Sequence, residues 1–223
     1  MTTSLAIIGR DDRFAVRRIY CVGRNYAAHV REMNEGADPR DPPFFFQKPT
    51  DALVETGATV PYPPMTDDLQ FEVELVAAIT TGGRDIAVET ALDHVGFYAI
   101  GIDLTRRDLQ FRAREKGWPW EMGKSFDRSA PIGPLSAAGD VGHDTRAITL
   151  SVDGDMRQNS KTDHMIWSVA EIVANLSRQY RLMPGDLIMT GTPEGVGALR
   201  VGQRIEARAD GLTPLSITIG DPE

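Results

Sequence analysis

The run Phe71-Glu72-Val73-Glu74-Leu75-Val76-Ala77-Ala78-Ile79 decides how this chain is read. Side chains alternate faces along a strand, so Glu72 and Glu74 share one face while Phe71, Val73 and Leu75 share the other. From Val76 onward both faces are apolar, the pattern of a strand buried within a sheet. A solvated edge strand also accommodates Glu-x-Glu, but like charges on one face repel and the apolar run that follows points inward. The stretch therefore sets two carboxylates side by side at the entrance to the core.

Working outward, residues 97–102 read as a second buried strand that ends at Asp103, followed by a helix over 106–116. Upstream, residues 18–22 read as a strand stopped by Gly23. Asn25 then offers an N-cap for a helix over 26–33, ended by Asn34-Glu35-Gly36. A loop with Pro39, Pro42 and Pro43 leads to an aromatic strand, Phe44-Phe45-Phe46-Gln47, closed by Lys48-Pro49. Pro61-Tyr62-Pro63-Pro64 excludes both helix and central strand. A short helical stretch is expected over 87–94.

The second half carries strand signals at 148–152, 187–190, 204–209 and 215–219, with turns at Asp153-Gly154 and Asp210-Gly211. One amphipathic helix interrupts them over 166–179, with Ile166, Val169, Ile172, Val173 and Leu176 at helical spacing. Strands and helices do not alternate regularly. The expectation is an α+β domain with a mixed or antiparallel sheet and not a doubly wound fold.

At 223 residues the chain fits one large domain, with 1–17 as a short N-terminal segment. Its 24 Lys+Arg against 32 Asp+Glu give a net charge of -8, which argues against nucleic-acid binding because that affinity comes from cations displacing counterions. No apolar stretch approaches the ~20 residues of a spanning helix, so no membrane partner is expected. Cys21 is the single cysteine, inside an apolar strand. It excludes an intramolecular disulfide and a thiolate metal cluster, reads as a buried inert thiol, and makes a cytoplasmic location the default.

Several motifs fail. Gly123-Lys124-Ser125 lacks the first glycine of a P-loop, since Trp118 stands in its place. The glycines from Gly191 to Gly197 are misspaced for a dinucleotide fingerprint, and Pro193 breaks the required helix. What holds is a hard oxygen donor set. Glu72 and Glu74 join Asp103, a third carboxylate at the C-terminal end of a strand, although Asp103 alone also suits a helix N-cap. Such a set suits Mg²⁺, Mn²⁺ or Ca²⁺, and Mg²⁺ or Mn²⁺ is the expectation. His29 and Glu32, three apart on the first helix, lie within reach of each other, as a base oriented by a carboxylate or as a surface helix pair.

Taken together these residues resemble the fumarylacetoacetate hydrolase family from Arg18 to Ile219. The resemblance is carried by Gly23-Arg24-Asn25-Tyr26-Ala27-Ala28-His29-Val30-Arg31-Glu32-Met33, Phe46-Gln47-Lys48-Pro49, Phe71-Glu72-Val73-Glu74-Leu75 and Gly101-Ile102-Asp103-Leu104-Thr105-Arg106-Arg107-Asp108-Leu109-Gln110. It continues through Pro119-Trp120-Glu121-Met122-Gly123-Lys124-Ser125-Phe126-Asp127 and the segment Gly185 to Gly197. The resemblance implies a strand-rich mixed β roll, barrel-like and flanked by a few helices, over a single catalytic domain at 18–223, and a homodimer. It implies Glu72, Glu74 and Asp103 as ligands of Mg²⁺, with Mn²⁺ possible in its place. It further implies His29 and Glu32 as a water-activating pair on a lid helix, Lys124 beside the metal, and Arg24, Lys48, Gln110 and Thr192 at the substrate.

The activity implied is metal-dependent hydrolysis of the C–C bond of a 3-acylpyruvate, a small 2-keto acid, with fumarylpyruvate giving fumarate and pyruvate in the catabolism of aromatic compounds. Oxaloacetate decarboxylation or tautomerisation, or dienedioate isomerisation, would use the same metal-enolate chemistry without the activated water. A non-catalytic metal- or anion-binding protein would not need His29, Glu32 and Lys124.

Overall fold

A computed structural model of the protein describes residues 3–33 and 40–223. The expected helix end at Asn34-Glu35-Gly36 and the Pro39 part of the loop lie outside the described residues.

The strand Val73–Ile79 lies inside a six-stranded sheet, in the order Ser136–Ala137, Val95–Ile102, Val73–Ile79, Asp186–Met189, Arg18–Gly23, Phe44–Lys48. It pairs antiparallel with both neighbours, and only Asp186–Met189 and Arg18–Gly23 run parallel. All seven of its residues are buried, as a strand covered on both faces requires.

Alternation along these strands feeds two cores. Tyr20, Val22, Val73, Leu75 and Ile100 enter the larger one, where they meet Ile172, Val173 and Leu176 of the helix Val169–Gln179. Fully burying each of those three helix side chains is worth roughly 1.5–3 kcal/mol. Ile19, Cys21, Val76, Ala78 and Met189 face the smaller core, closed by Leu5 and Phe14 of a hairpin formed by Ser4–Ala6 and Arg13–Ala15.

A five-stranded sheet packs on the larger core in the order Asp155–Lys161, Ala147–Val152, Arg204–Ala209, Leu215–Gly220, Thr59–Pro61. Pro61 stands in its edge strand, where a missing N–H breaks no ladder. The two sheets and their flanking helices make the mixed β roll; among the described residues no sheet closes into a barrel. No described helix is long and apolar enough to cross a membrane.

Three local expectations change. The strand expected over 71–79 is broken at Glu72, because Leu69–Phe71 belongs to a small sheet with Thr105–Arg106 and Gly197–Ala198. Asn25 does not cap the first helix, which runs Ala27–Glu32 from Tyr26 without a side-chain cap. Fully buried, Asn25 donates instead to the carbonyls of Trp167 and Thr190 and accepts from Trp167 N–H, tying three segments together. The long helix starts at Val169, not Ile166, because Ser168 and Glu171 form a reciprocal capping box. The strand Asp155–Lys161 was not foreseen: only Gln158 and Ser160 are buried, so it shows no apolar alternation.

Candidate active site

The site grows from the ends of two paired strands. Glu74 stands opposite Gly101 in the register, Asp103 follows the last residue of Val95–Ile102, and the Asp103 N–H donates to Glu72 O at 2.8 Å. That bond holds the break in the strand and turns Glu72 toward the other two carboxylates. One oxygen from each of Glu72, Glu74 and Asp103 lies within 4.8 Å of the others, and the three residues are only 5%, 2% and 0% exposed.

Buried carboxylates need cations, and three are supplied. Lys124, on the short helix Glu121–Lys124, donates to Glu72 Oε2 at 2.7 Å, Asp103 Oδ2 at 2.8 Å and Thr105 Oγ1 at 2.7 Å. Arg107 bonds Glu72 Oε1 and also reaches Gln70 and Gln110. Lys48 Nζ lies 2.8 Å from Asp103 Oδ1, off the angle of a hydrogen bond, while its hydrogens go to the carbonyls of Leu104 and Lys124.

The protonation behaviour divides the cluster. Burial alone would raise Glu72, but Lys124 and Arg107 outweigh it and hold the carboxyl well below the usual range. Burial, with Asp103 and Glu72 close by, pushes Glu74 well above it, against the single N–H donated by Gly191 at 2.7 Å. Burial pulls the Lys124 ammonium down, yet Asp103 and Glu72 raise it on balance, so it stays charged. Asp103 Oδ1 is buried and accepts no hydrogen bond. An oxygen-only set in which burial and two neighbouring carboxylates hold Glu74 above the usual range fits a divalent cation, whose charge would answer that deficit.

His29 faces the same cleft, 8% exposed, and its Nδ1 is 3.0 Å from Glu32 Oε2. Glu32 Oε1 accepts the Gly195 N–H at 3.0 Å. Burial would raise Glu32, but the bonds from His29 and Gly195 lower it below the ordinary carboxylate range. An ionised Glu32 fixes the hydrogen on Nδ1 and leaves the Nε2 lone pair as a proton acceptor. Gly195 has φ +93°, and a Cβ there would stand 2.2 Å from Arg157 O, so this approach to Glu32 needs glycine.

Of the residues expected at a substrate, Arg24, Gln110 and Thr192 line the cleft. Arg24 sits at φ +60° beside Gly23, its guanidinium over the Phe44 ring at 5.5 Å. Trp120 closes against Phe44 edge-on, with centroids 5.1 Å apart, and against Phe46. Lys48 does not line the cleft; its side chain is fully buried behind Asp103, so its place is among the groups that hold the carboxylates. Arg107 was missed. Its signal was there, since a cation in the first turn opposes the helix dipole and so calls for an anionic partner.

A β roll that brings three carboxylates from the ends of two core strands into one cleft with His29 has the donor set and the base of a metal-dependent enzyme. The family model described as fumarylacetoacetate (FAA) hydrolase C-terminal matches residues 18–220, and the chain belongs to that family. A fumarylpyruvate hydrolase from Ralstonia sp. is 45% identical over 180 residues, covering 81% of this chain and 94% of the relative. A mitochondrial oxaloacetate tautomerase from Arabidopsis thaliana is 39% identical, covering 91% and 90%. The crystal structure of a fumarylpyruvate hydrolase from Pseudomonas aeruginosa, in complex with Mn²⁺ and pyruvate, is 57% identical with a TM-score of 0.95, covering 99% of this chain and 96% of that one.

Proposed function

We propose that the protein is a divalent-metal-dependent hydrolase that cleaves the C–C bond of 3-acylpyruvates, with fumarylpyruvate as substrate and fumarate and pyruvate as products. The observation that carries this reading is the His29–Glu32 pair, braced by the Gly195 amide and opening on the cleft of the three carboxylates. Water activation requires a base with its own orienting carboxylate and decarboxylation of a keto acid does not; tautomerisation also moves a proton through a base, so substrate preference is what separates it from hydrolysis.

Charge supports the same substrate class. Fully ionised, Glu72, Glu74 and Asp103 balance Lys48, Lys124 and Arg107, a sum of zero. A divalent cation leaves the site doubly positive, matched to the two carboxylates of fumarylpyruvate. Glu72, Glu74 and Asp103 would hold that cation, which when bound would supply Lewis-acid charge for the oxygen that turns negative as the bond breaks. His29 Nε2 takes a proton from water, whose oxygen adds to the acyl carbonyl carbon. The C–C bond then breaks, its electron pair passes into the pyruvate enolate, and a proton returned to that carbon completes pyruvate. The Lys124 ammonium provides fixed positive charge beside the enolate. Arg24, Gln110 and Thr192 hold the anionic ends.

Mg²⁺ as the working ion with Mn²⁺ as a substitute, a homodimer, a cytoplasmic location, a part in aromatic catabolism, and residues 18–223 as the catalytic domain behind a short segment 1–17 belong to the same reading. Their support is the family resemblance. Turnover of fumarylpyruvate and oxaloacetate by chelator-stripped protein, with and without Mg²⁺, tests it. Mg²⁺-restored release of fumarate, well above turnover of oxaloacetate, is expected; the reverse preference moves the assignment to the oxaloacetate activities of the tautomerase relatives.

A further inference from the structure

Gln158 lies on the polar strand Asp155–Lys161, is fully buried, and belongs to the sheet that carries no site carboxylate. Its Oε1 accepts the Val73 N–H at 2.9 Å. Its Nε2 donates to Pro193 O at 2.8 Å and to Thr192 Oγ1 at 2.9 Å. The two backbone partners leave no freedom in how the amide is oriented. Val73 N–H can only donate and Pro193 O can only accept, so the amide oxygen faces Val73 and both amide hydrogens go to the Thr192-Pro193 loop.

That orientation dictates the hydroxyl. Thr192 Oγ1 accepts from Gln158, so its own hydrogen must point elsewhere, and among the described residues no group accepts it. Thr192 is 3% exposed and lines the cleft. We infer that Gln158 is a positioning residue which sets Thr192 as a hydrogen-bond donor toward an anionic oxygen of the bound keto acid, while fixing the backbone between Glu72 and Glu74. The inference rests on the substrate class proposed above. It assigns Thr192 a direction and gives a polar residue remote from the cleft a part in specificity.

The geometry also explains why the polar amide is there at all. Val73 N–H points away from Ile102, toward the side where the strand Asp186–Met189 pairs no further than Val76, and a buried unpaired N–H costs on the order of 1–3 kcal/mol. A hydrophobic side chain would fill the space and satisfy neither strand nor loop. Glutamate fills it and satisfies Val73, but leaves Pro193 O without a donor and reverses the sense at Thr192.

Gln158→Glu tests this nearly isosterically. A carboxylate there still accepts from Val73 and draws the Thr192 hydrogen to itself, turning the hydroxyl from donor to acceptor at the cleft; it also deprives Pro193 O of its donor, a loss that the melting temperature reads. KM for fumarylpyruvate should rise on the order of 10- to 100-fold, the worth of a hydrogen bond to a charged group, with kcat changed far less. Thr192→Val should give a similar rise and Thr192→Ser should restore the wild-type value. Adding Gln158→Glu to Thr192→Val should then add almost nothing. Pyruvate affinity of the Mn²⁺-loaded protein, measured by calorimetry, and thermal melting accompany each variant. An unchanged KM in Gln158→Glu, or additive losses in the double variant with melting temperature preserved, overturns the inference. If wild-type protein binds pyruvate but does not hydrolyse fumarylpyruvate, the proposed function fails instead, and the weakening of pyruvate binding by Gln158→Glu still decides the role of Gln158. No weakening there counts against it.

Discussion

The two ends of one strand pair differ more than any other two regions of the molecule. Along Val73–Ile79 and Val95–Ile102 the side chains pack into apolar cores, with Val76, Ala78, Ile100 and Ile102 fully buried. At one end the same strands deliver Glu74 and Asp103, and these are buried just as deeply. Burial is equal and its consequence opposite. In the core it is the driving force of folding, while at the charged end it demands that Lys48, Lys124 and Arg107 be recruited from three other segments.

Removing metal should divide the two regions most sharply. A chelator is expected to abolish fumarylpyruvate turnover while far-ultraviolet circular dichroism stays unchanged; loss of secondary structure on chelation would mean that the charged end is not separable from the core. His29→Ala comes next, with kcat for hydrolysis lowered by about 10²- to 10⁴-fold, the usual contribution of a general base, and melting temperature nearly unmoved. Retention of full hydrolysis would remove the basis for the activated water.

Glu74→Gln sharpens the contrast from the other side. Burial and its acidic neighbours already disfavour the charged form of Glu74. Metal-free stability should therefore change little or rise, while Mn²⁺ affinity, followed by electron paramagnetic resonance, falls by more than the 10- to 100-fold typical of losing an outer-shell partner. A large loss of metal-free stability would show that Glu74 is ionised there. In the core the pattern inverts: Leu176→Ala should cost about 2–5 kcal/mol in urea unfolding and leave kcat alone.

The smallest effect belongs to the capping box. Ser168→Ala should cost about 1 kcal/mol. Burial would raise the Glu171 carboxyl, but its bonds from Ser168 and its nearness to Arg40 lower it below the unfolded value. A depressed acid stabilises the fold above its unfolded pKa of about 4.3 and loses that stabilisation as pH falls through the folded value. The stability difference between wild type and Glu171→Gln should hold near pH 7 and shrink below about pH 4; a difference that persists in acid would assign it to packing.

How much the sequence disclosed follows the same division. Apolar alternation and turn residues disclosed the central strands and the long helix, because burial writes itself into hydrophobic pattern. The acidic residues were visible too, since Glu-x-Glu before an apolar run is internally inconsistent unless something compensates. The compensating side was hidden. Arg107 looked like one of many charged helix residues, and Gln158 sat in a strand with no pattern at all, because a side chain that meets backbone groups from distant segments leaves no periodic trace. Asn25 misled for a related reason: a residue able to cap a helix can equally satisfy other backbone groups, and tertiary contacts chose the latter.

One loop engages both halves of the chemistry through its main chain. Gly191 N–H meets Glu74 and Gly195 N–H meets Glu32, with only three residues between them. Amide hydrogens do not depend on the side chain, so the length of this loop is specified as strictly as its two glycines and Thr192. Exposed Glu194 should accept many replacements. A single insertion or deletion between the two glycines would leave the metal carboxylate or the base carboxylate without its amide. Homologues should therefore vary at position 194 while keeping the residue count, the two glycines and the hydroxyl of Thr192.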